Sequence, residues 1–182
     1  MTRFMKAVAA VLVLVGGLVF GGAAAYGTTP VSGTTQLWGN VGSGKGFNAI
    51  FTGAIGDHGV SIPATSQGKP SKKKNTGYRL FVMKKGTIFF NTKQIDAAEN
   101  DNNTQPTTEN NTTCSFTFVV TEPATIISGT KAYAGITGSI SVTISYAAVL
   151  PLTKNGKCNP DTNANPTAQI GFVTGSGTVS YG

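Results

Sequence analysis

Apolar and polar positions alternate along most of this chain beyond its first two dozen residues. The clearest case is Ile140, Val142, Ile144 and Tyr146, interleaved with Ser139, Ser141, Thr143 and Ser145. A period of two places one set of side chains on each face of a pleated strand, so this segment predicts a half-buried β-strand. Phe47, Ala49 and Phe51 (with Ile55 beyond) and Phe116, Phe118 and Val120 read the same way. Tyr78 to Met83 and Thr87 to Phe90 are two apolar pieces separated by Lys84-Lys85-Gly86, a hairpin signal. Ile170 to Val173 and Thr178 to Tyr181 close the chain around Gly175-Ser176-Gly177. About eight short strands at this spacing predict an all-β fold, an antiparallel barrel or alternatively a β-sandwich. Two segments carry no such pattern. Residues 95–113 are polar and almost free of apolar side chains, which predicts a mobile or long surface loop, and Asn155 to Pro166 predicts a second loop.

The first residues follow a different rule. Arg3 and Lys6 precede an acid-free apolar run from Ala7 to Phe20, and small residues follow at Ala23-Ala24-Ala25 and Ala25-Tyr26-Gly27. This is the layout of a secretory signal peptide, residues 1–27, cleaved after Ala25 or Gly27, because signal peptidase admits only small side chains beside the cut. The apolar run is short for spanning a bilayer, and Gly16, Gly17, Gly21 and Gly22 weaken its helix, so an uncleaved anchor is the lesser reading. Any membrane contact would come from that segment alone. The expected working protein is one domain, residues 28–182, secreted or on the cell-envelope exterior, and large enough for a real core.

Composition supports the all-β reading. Glycine is abundant, with 24 residues, and only 12% of the chain is charged. Cys114 and Cys158 are the only cysteines. In an exported chain they are expected to form a structural disulfide; two thiols alone make a poor metal site, and a redox pair would sit closer in sequence. Lys69, Lys72, Lys73, Lys74, Arg79, Lys84 and Lys85 supply seven of the fourteen basic residues. Read outside the cell, such a patch could meet an anionic cell-envelope polymer, while the favoured reading is solvated lysines protecting an edge strand. Nucleic acid is excluded as a physiological partner by compartment and by the scarcity of interleaved aromatics.

Gly129-Thr130-Lys131-Ala132-Tyr133-Ala134-Gly135-Ile136-Thr137-Gly138 reads as a tight glycine-shaped turn, with Tyr133 packed as a plug over a barrel end. The run resembles the turn before a late strand in allene oxide cyclase and dirigent-type barrels, including small secreted bacterial relatives. Glu122-Pro123, Ile126-Ile127 and Pro151 extend the likeness loosely, and Lys131 stands where the family often has glycine. The resemblance implies an eight-stranded antiparallel barrel of lipocalin-like form, with an interior able to hold an apolar ligand. The plant enzymes' catalytic positions cannot be placed on this chain, so their cyclisation or radical-coupling role does not transfer.

No catalytic constellation stands out, and no cofactor or metal is implied. Asp57-His58 contains the only histidine. His58 could act as a base or ligand, yet adjacent residues on a strand point to opposite faces, and turn chemistry is the more economical reading. Gly42-Ser43-Gly44-Lys45-Gly46 superficially resembles a phosphate-binding loop but lacks its spacing. Asp96, Glu99, Asp101, Asn102, Asn103 and Glu109 do not match a calcium loop. Asn102, Asn110 and Asn111 satisfy the glycosylation sequon. Three functions are therefore weighed: a barrel binding a small apolar ligand, a cyclase or isomerase using His58 or Arg79 inside the cavity, and a surface interaction protein using Lys72, Lys73 and Lys74. A non-enzymatic binder is favoured.

Overall fold

The structure is a computed structural model that describes residues 30–41, 46–100, 108–159 and 165–182. The expected signal peptide and its cleavage site, the Gly42–Lys45 part of the glycine loop, and Asn102 lie outside the described residues. Among the described residues, no helix is long and apolar enough to cross a membrane.

Among the described residues there are nine strands: β1 (Val31–Val41), β2 (Phe47–Gly53), β3 (Asp57–Pro63), β4 (Tyr78–Met83), β5 (Thr87–Asn91), β6 (Thr108–Asn110), β7 (Ser115–Gly129), β8 (Thr137–Val149) and β9 (Ala168–Tyr181). Eight of them close an antiparallel barrel in the order β5-β4-β3-β2-β1-β9-β8-β7, and the β5–β7 pairing completes the ring. The three-residue β6 lies outside it, on the edge of β7. Closure excludes the sandwich alternative. It also overturns the edge-strand reading of the lysines, because β4 is paired on both sides, to β3 and to β5.

The alternation seen in the sequence becomes inside and outside. Leu37, Ala49, Phe51, Phe81, Ile88, Phe90, Ile140 and Val142 fill the interior. Phe81 is the hub of the aromatic packing, with ring centroids 5.2 Å from Phe51, 5.1 Å from Phe90 and 5.9 Å from Phe47. Edge-to-face contacts of this kind add to simple burial. Leu80 and Phe89 point the other way and form a small second cluster with Ala64, beneath the β3–β4 loop.

Residues 95–113 are not one unstructured loop. Helix α1 (Lys93–Asn100) and β6 occupy parts of the segment. Ile95 is the only buried residue of α1, so the helix carries no apolar period that the sequence could display. Tertiary contacts hold it instead. Asn91 Oδ1 accepts from the Lys93 N–H at 3.1 Å, and Asp96 Oδ2 accepts from the Gly77 N–H at 2.6 Å. In the second expected loop, the described residues 155–159 and 165–166 form no helix or strand apart from the isolated bridge Leu152–Cys158. The predicted disulfide between Cys114 and Cys158 is present and joins the two regions.

Candidate functional site

The two ends of the barrel differ in chemistry. At one end sit the turns at 54–56, 84–86 and 130–136. Tyr133, in a short 3-10 turn (Lys131–Tyr133), is 1% exposed and plugs this end with Ile55 and Ile136. Its ring lies edge-on to Tyr181 at 5.7 Å. Its hydroxyl donates to Asp57 Oδ2 at 2.7 Å. Asp57 also accepts from the backbone N–H groups of Lys85, at 2.9 Å, and His58, at 2.8 Å. Burial pushes the Asp57 carboxyl up, but these donors and the Lys85 charge outweigh it and leave it below its ordinary value. Satisfied on both oxygens and enclosed, Asp57 is a structural anchor. Its neighbour His58 points outward and is exposed, so the two side chains diverge as strand geometry requires. The two side chains therefore do not form the Asp–His pair of a general base.

Among the described residues, the opposite end encloses accessible space. An inner cavity of about 40 Å³ is lined by Leu37, Phe81, Phe90, Val142 and Val173 in its apolar part, and by Arg79, Thr92, Asp96 and Glu99 on its polar side. It adjoins a vestibule of about 390 Å³ bordered by Lys74, Asn75, Tyr146 and Gln169. Phe47, Arg79, Glu99, Ile144 and Val173 line both spaces. Most of the barrel is filled by its own side chains, so the accessible volume lies at this mouth.

Arg79 faces inward because it pairs with Phe90 across β4–β5, on the side opposite Leu80 and Phe89. Its Nε donates to the fully buried Ser61 Oγ at 2.8 Å, and its guanidinium sits 5.2 Å from the Phe47 ring centroid. Burial lowers its pKa, and the charges of Asp96 and Glu99 oppose that. Burial raises the carboxyl of Asp96, against the Gly77 N–H and Arg79. Burial and then the charge of Asp96 raise Glu99, against Arg79. Thr92 is 3% exposed, and its Oγ1 is the buried side-chain atom without a hydrogen-bond partner among the described residues. The mouth therefore joins an apolar floor to a cation, two carboxylates inclined to hold their protons, and an unsatisfied hydroxyl.

The other sequence candidates do not converge here. Lys72, Lys73 and Lys74 are exposed in the β3–β4 loop, at the mouth end, where Lys74 borders the vestibule. Lys84 and Lys85 lie at the plugged end, one strand length away, about 20 Å for six residues. The run of basic residues is thus two separate groups with Arg79 inside the barrel between them. Phe116 and Phe118 are half-buried and pack on Tyr146, both at 5.8 Å, rather than in the barrel core. Among the described residues, no cluster of His, Cys, Asp and Glu could hold a metal ion. Ser61 and Thr92 were not legible as site residues; the register of β3 on β4 places Ser61 beside Arg79, and the short link from β5 to α1 places Thr92 at the cavity.

Comparison with protein-family models, with curated proteins and with solved structures finds no match for this chain.

Proposed function

We propose that this is a secreted, non-enzymatic β-barrel protein that binds a small amphipathic molecule at the barrel mouth. The observation that carries the reading is the adjacency of the two spaces: a vestibule of about 390 Å³ and a small apolar inner cavity share Phe47, Ile144 and Val173 as lining. That vestibule falls within the usual size range of small-molecule sites, about 300–1,000 Å³. The apolar end of the ligand points inward against Phe81, Phe90 and Val142. Its polar end meets Arg79 and Glu99. The barrel of lipocalin-like form implied by the 129–138 turn supports the same reading, and the disulfide agrees with an oxidising compartment outside the cytoplasm.

The probe for this reading is anilinonaphthalene sulfonate, which pairs an apolar ring system with an anion. The expected result is saturable binding with one site per chain, weakened by about tenfold in Ile144→Trp, a change worth about 1.4 kcal/mol. Ile144 is half-buried at the shared wall, so the added ring fills the passage without displacing the deep core. Equal binding by the wild type and an equally folded Ile144→Trp variant removes the reading. A cyclase or isomerase acting in the same cavity is the second reading. The inward position of Arg79 favours it over any scheme built on the outward His58, and chemical conversion of a copurified molecule on incubation would support it.

A further inference from the structure

The outer face of β1, β9 and β8 is uncharged, and the equally uncharged β2 continues it beyond β1. These three strands contain no Asp, Glu, Lys, Arg or His, in a chain with fourteen basic residues. Register arranges their outward side chains in rows. Trp38 stands opposite Thr174, Thr174 opposite Thr143, and Thr143 opposite Thr121 of β7, with the last two hydroxyl oxygens 2.8 Å apart. The adjacent row runs Gln36, Ser176, Ser141. On the other side, Asn40 stands opposite Phe172, and Phe172 opposite Ser145. Between the first two rows lies a shallow trough of about 270 Å³, lined by Gln36, Trp38, Ser141, Thr143, Thr174 and Ser176.

Trp38 is the chain's single tryptophan, and it is 51% exposed. Phe172, 49% exposed, is its diagonal neighbour across β1–β9, at the roughly 7–8 Å such pairs adopt. An indole left half in water forgoes part of the roughly 1.5–3 kcal/mol that burying a large apolar side chain releases. The ring is therefore free to release that energy against a ligand.

The geometry points to this face as a binding surface for a neutral polysaccharide, separate from the barrel mouth. A pyranose ring presents a flat face of weakly positive C–H groups, which stacks on the negative π-face of an indole. Its edge carries hydroxyls that must both donate and accept. Ser, Thr and Gln side chains do both, whereas lysine only donates and a carboxylate only accepts. The lack of charge on the three strands matches an uncharged chain and offers nothing to an anionic polymer. A protein partner would favour a contiguous apolar centre. Exposed Ile50 extends the apolar surface from Trp38 toward β2, but Asn40, Thr174 and Ser145 interrupt it toward β9 and β8, where the hydroxyl rows lie. Phe172 supplies a second platform for a further sugar unit.

The test uses the exported chain with washed cellulose, chitin, starch and mixed-linkage glucan, and follows Trp38 emission with the matching soluble oligosaccharides. At least one polymer is expected to deplete the protein from solution equally at low and high salt, since no ion pairs are involved. Trp38→Ala should weaken that binding about tenfold, or 1.4 kcal/mol, and Trp38→Tyr should restore most of it. Thr174→Lys, which leaves the indole in place but fills the trough, should weaken it as well. Circular dichroism and melting temperature establish that each variant is folded. Absence of binding to all four polymers overturns the inference. So does binding that is lost at high salt and in Lys72→Glu with Lys73→Glu, but not in Trp38→Ala or Thr174→Lys. A Trp38-dependent dimer that ignores every saccharide also overturns it. Each of these outcomes is independent of dye binding at the mouth.

Discussion

Tyr133 donates its hydroxyl proton to Asp57 at 2.7 Å, a buried bond across 76 residues of sequence. It ties the turn before β8 to the start of β3. Because Asp57 also accepts from the Lys85 N–H, and Lys85 Nζ donates to the Gly56 carbonyl at 2.9 Å, one carboxylate pins three turns together. The plugged end is thus rigid by hydrogen bonding, and the opposite end holds the accessible volume.

Tyr133→Phe keeps the plug's shape and removes one donor to a buried carboxylate. The expected loss is about 1–3 kcal/mol, the range for leaving a buried polar group short of a partner. Urea unfolding with an unchanged denaturant slope is the measurement. A double-mutant cycle with Asp57→Asn isolates the pairwise part.

Asp57 should also shape the acid limb of stability. Its folded pKa is below the ordinary value of 3.8, so the folded state holds this proton less tightly than the unfolded chain. Its contribution is therefore complete above 3.8 and disappears as the pH falls through the lower folded value. Thermal melts over that acid range are expected to show a shallower decline in Asp57→Asn than in the wild type.

Arg79→Met removes the cation that opposes burial at Asp96 and Glu99, so both carboxyls rise further. A raised carboxyl disfavours the folded state at pH values above its folded pKa, and the penalty is relieved as the pH drops through it. The variant also strands the Ser61 hydroxyl. Its expected loss is roughly 1–3 kcal/mol at neutral pH and smaller in acid, read from paired denaturation curves.

Replacing Cys114 and Cys158 together with alanine opens a loop of sequence separation 44. Chain-entropy reasoning puts the loss at about 4 kcal/mol. Both residues lie outside the main core cluster, so the barrel should still fold. Unfolding of the wild type with and without reductant gives the comparison.

Two glycines of the same turn should respond unequally to alanine. At Gly129 a Cβ would lie 2.2 Å from the Tyr133 carbonyl oxygen and 2.6 Å from Ile136, which forces the plug to move. At Gly135 nothing lies within 4 Å, and only the left-handed φ of 73° resists the substitution. Gly135→Ala is expected to lose about 1 kcal/mol and Gly129→Ala about 3 kcal/mol. Melting temperatures rank the pair.

The residues that announced themselves did so through local rules. Phe47 and Phe51 face inward because alternation on a strand is a local property. Tyr133 plugs an end because its flanking glycines permit a tight turn. Cys114 and Cys158 pair because they are the chain's only cysteines. Helix α1 escaped detection because Ile95 is its single buried residue, and one buried position in an eight-residue polar segment defines no period. The basic run misled for a related reason. Lys72 and Lys84 are close in sequence, yet an intervening strand carries them to opposite ends of the barrel.

Strands β1 and β3 were not read from the sequence, and its two closing segments are the single strand β9. The faces of the alternating segments, the disulfide partners and the plug were written in the sequence alone. Each depends on neighbours within a few residues or on a count of one residue type. Only the tertiary structure decided that the sheet closes, that Arg79 meets Ser61 and the α1 carboxylates at the mouth, and that Trp38 stands beside hydroxyls from two other strands. Those juxtapositions depend on strand register and barrel closure. Both are collective results of packing the whole interior, and no short stretch of sequence carries them.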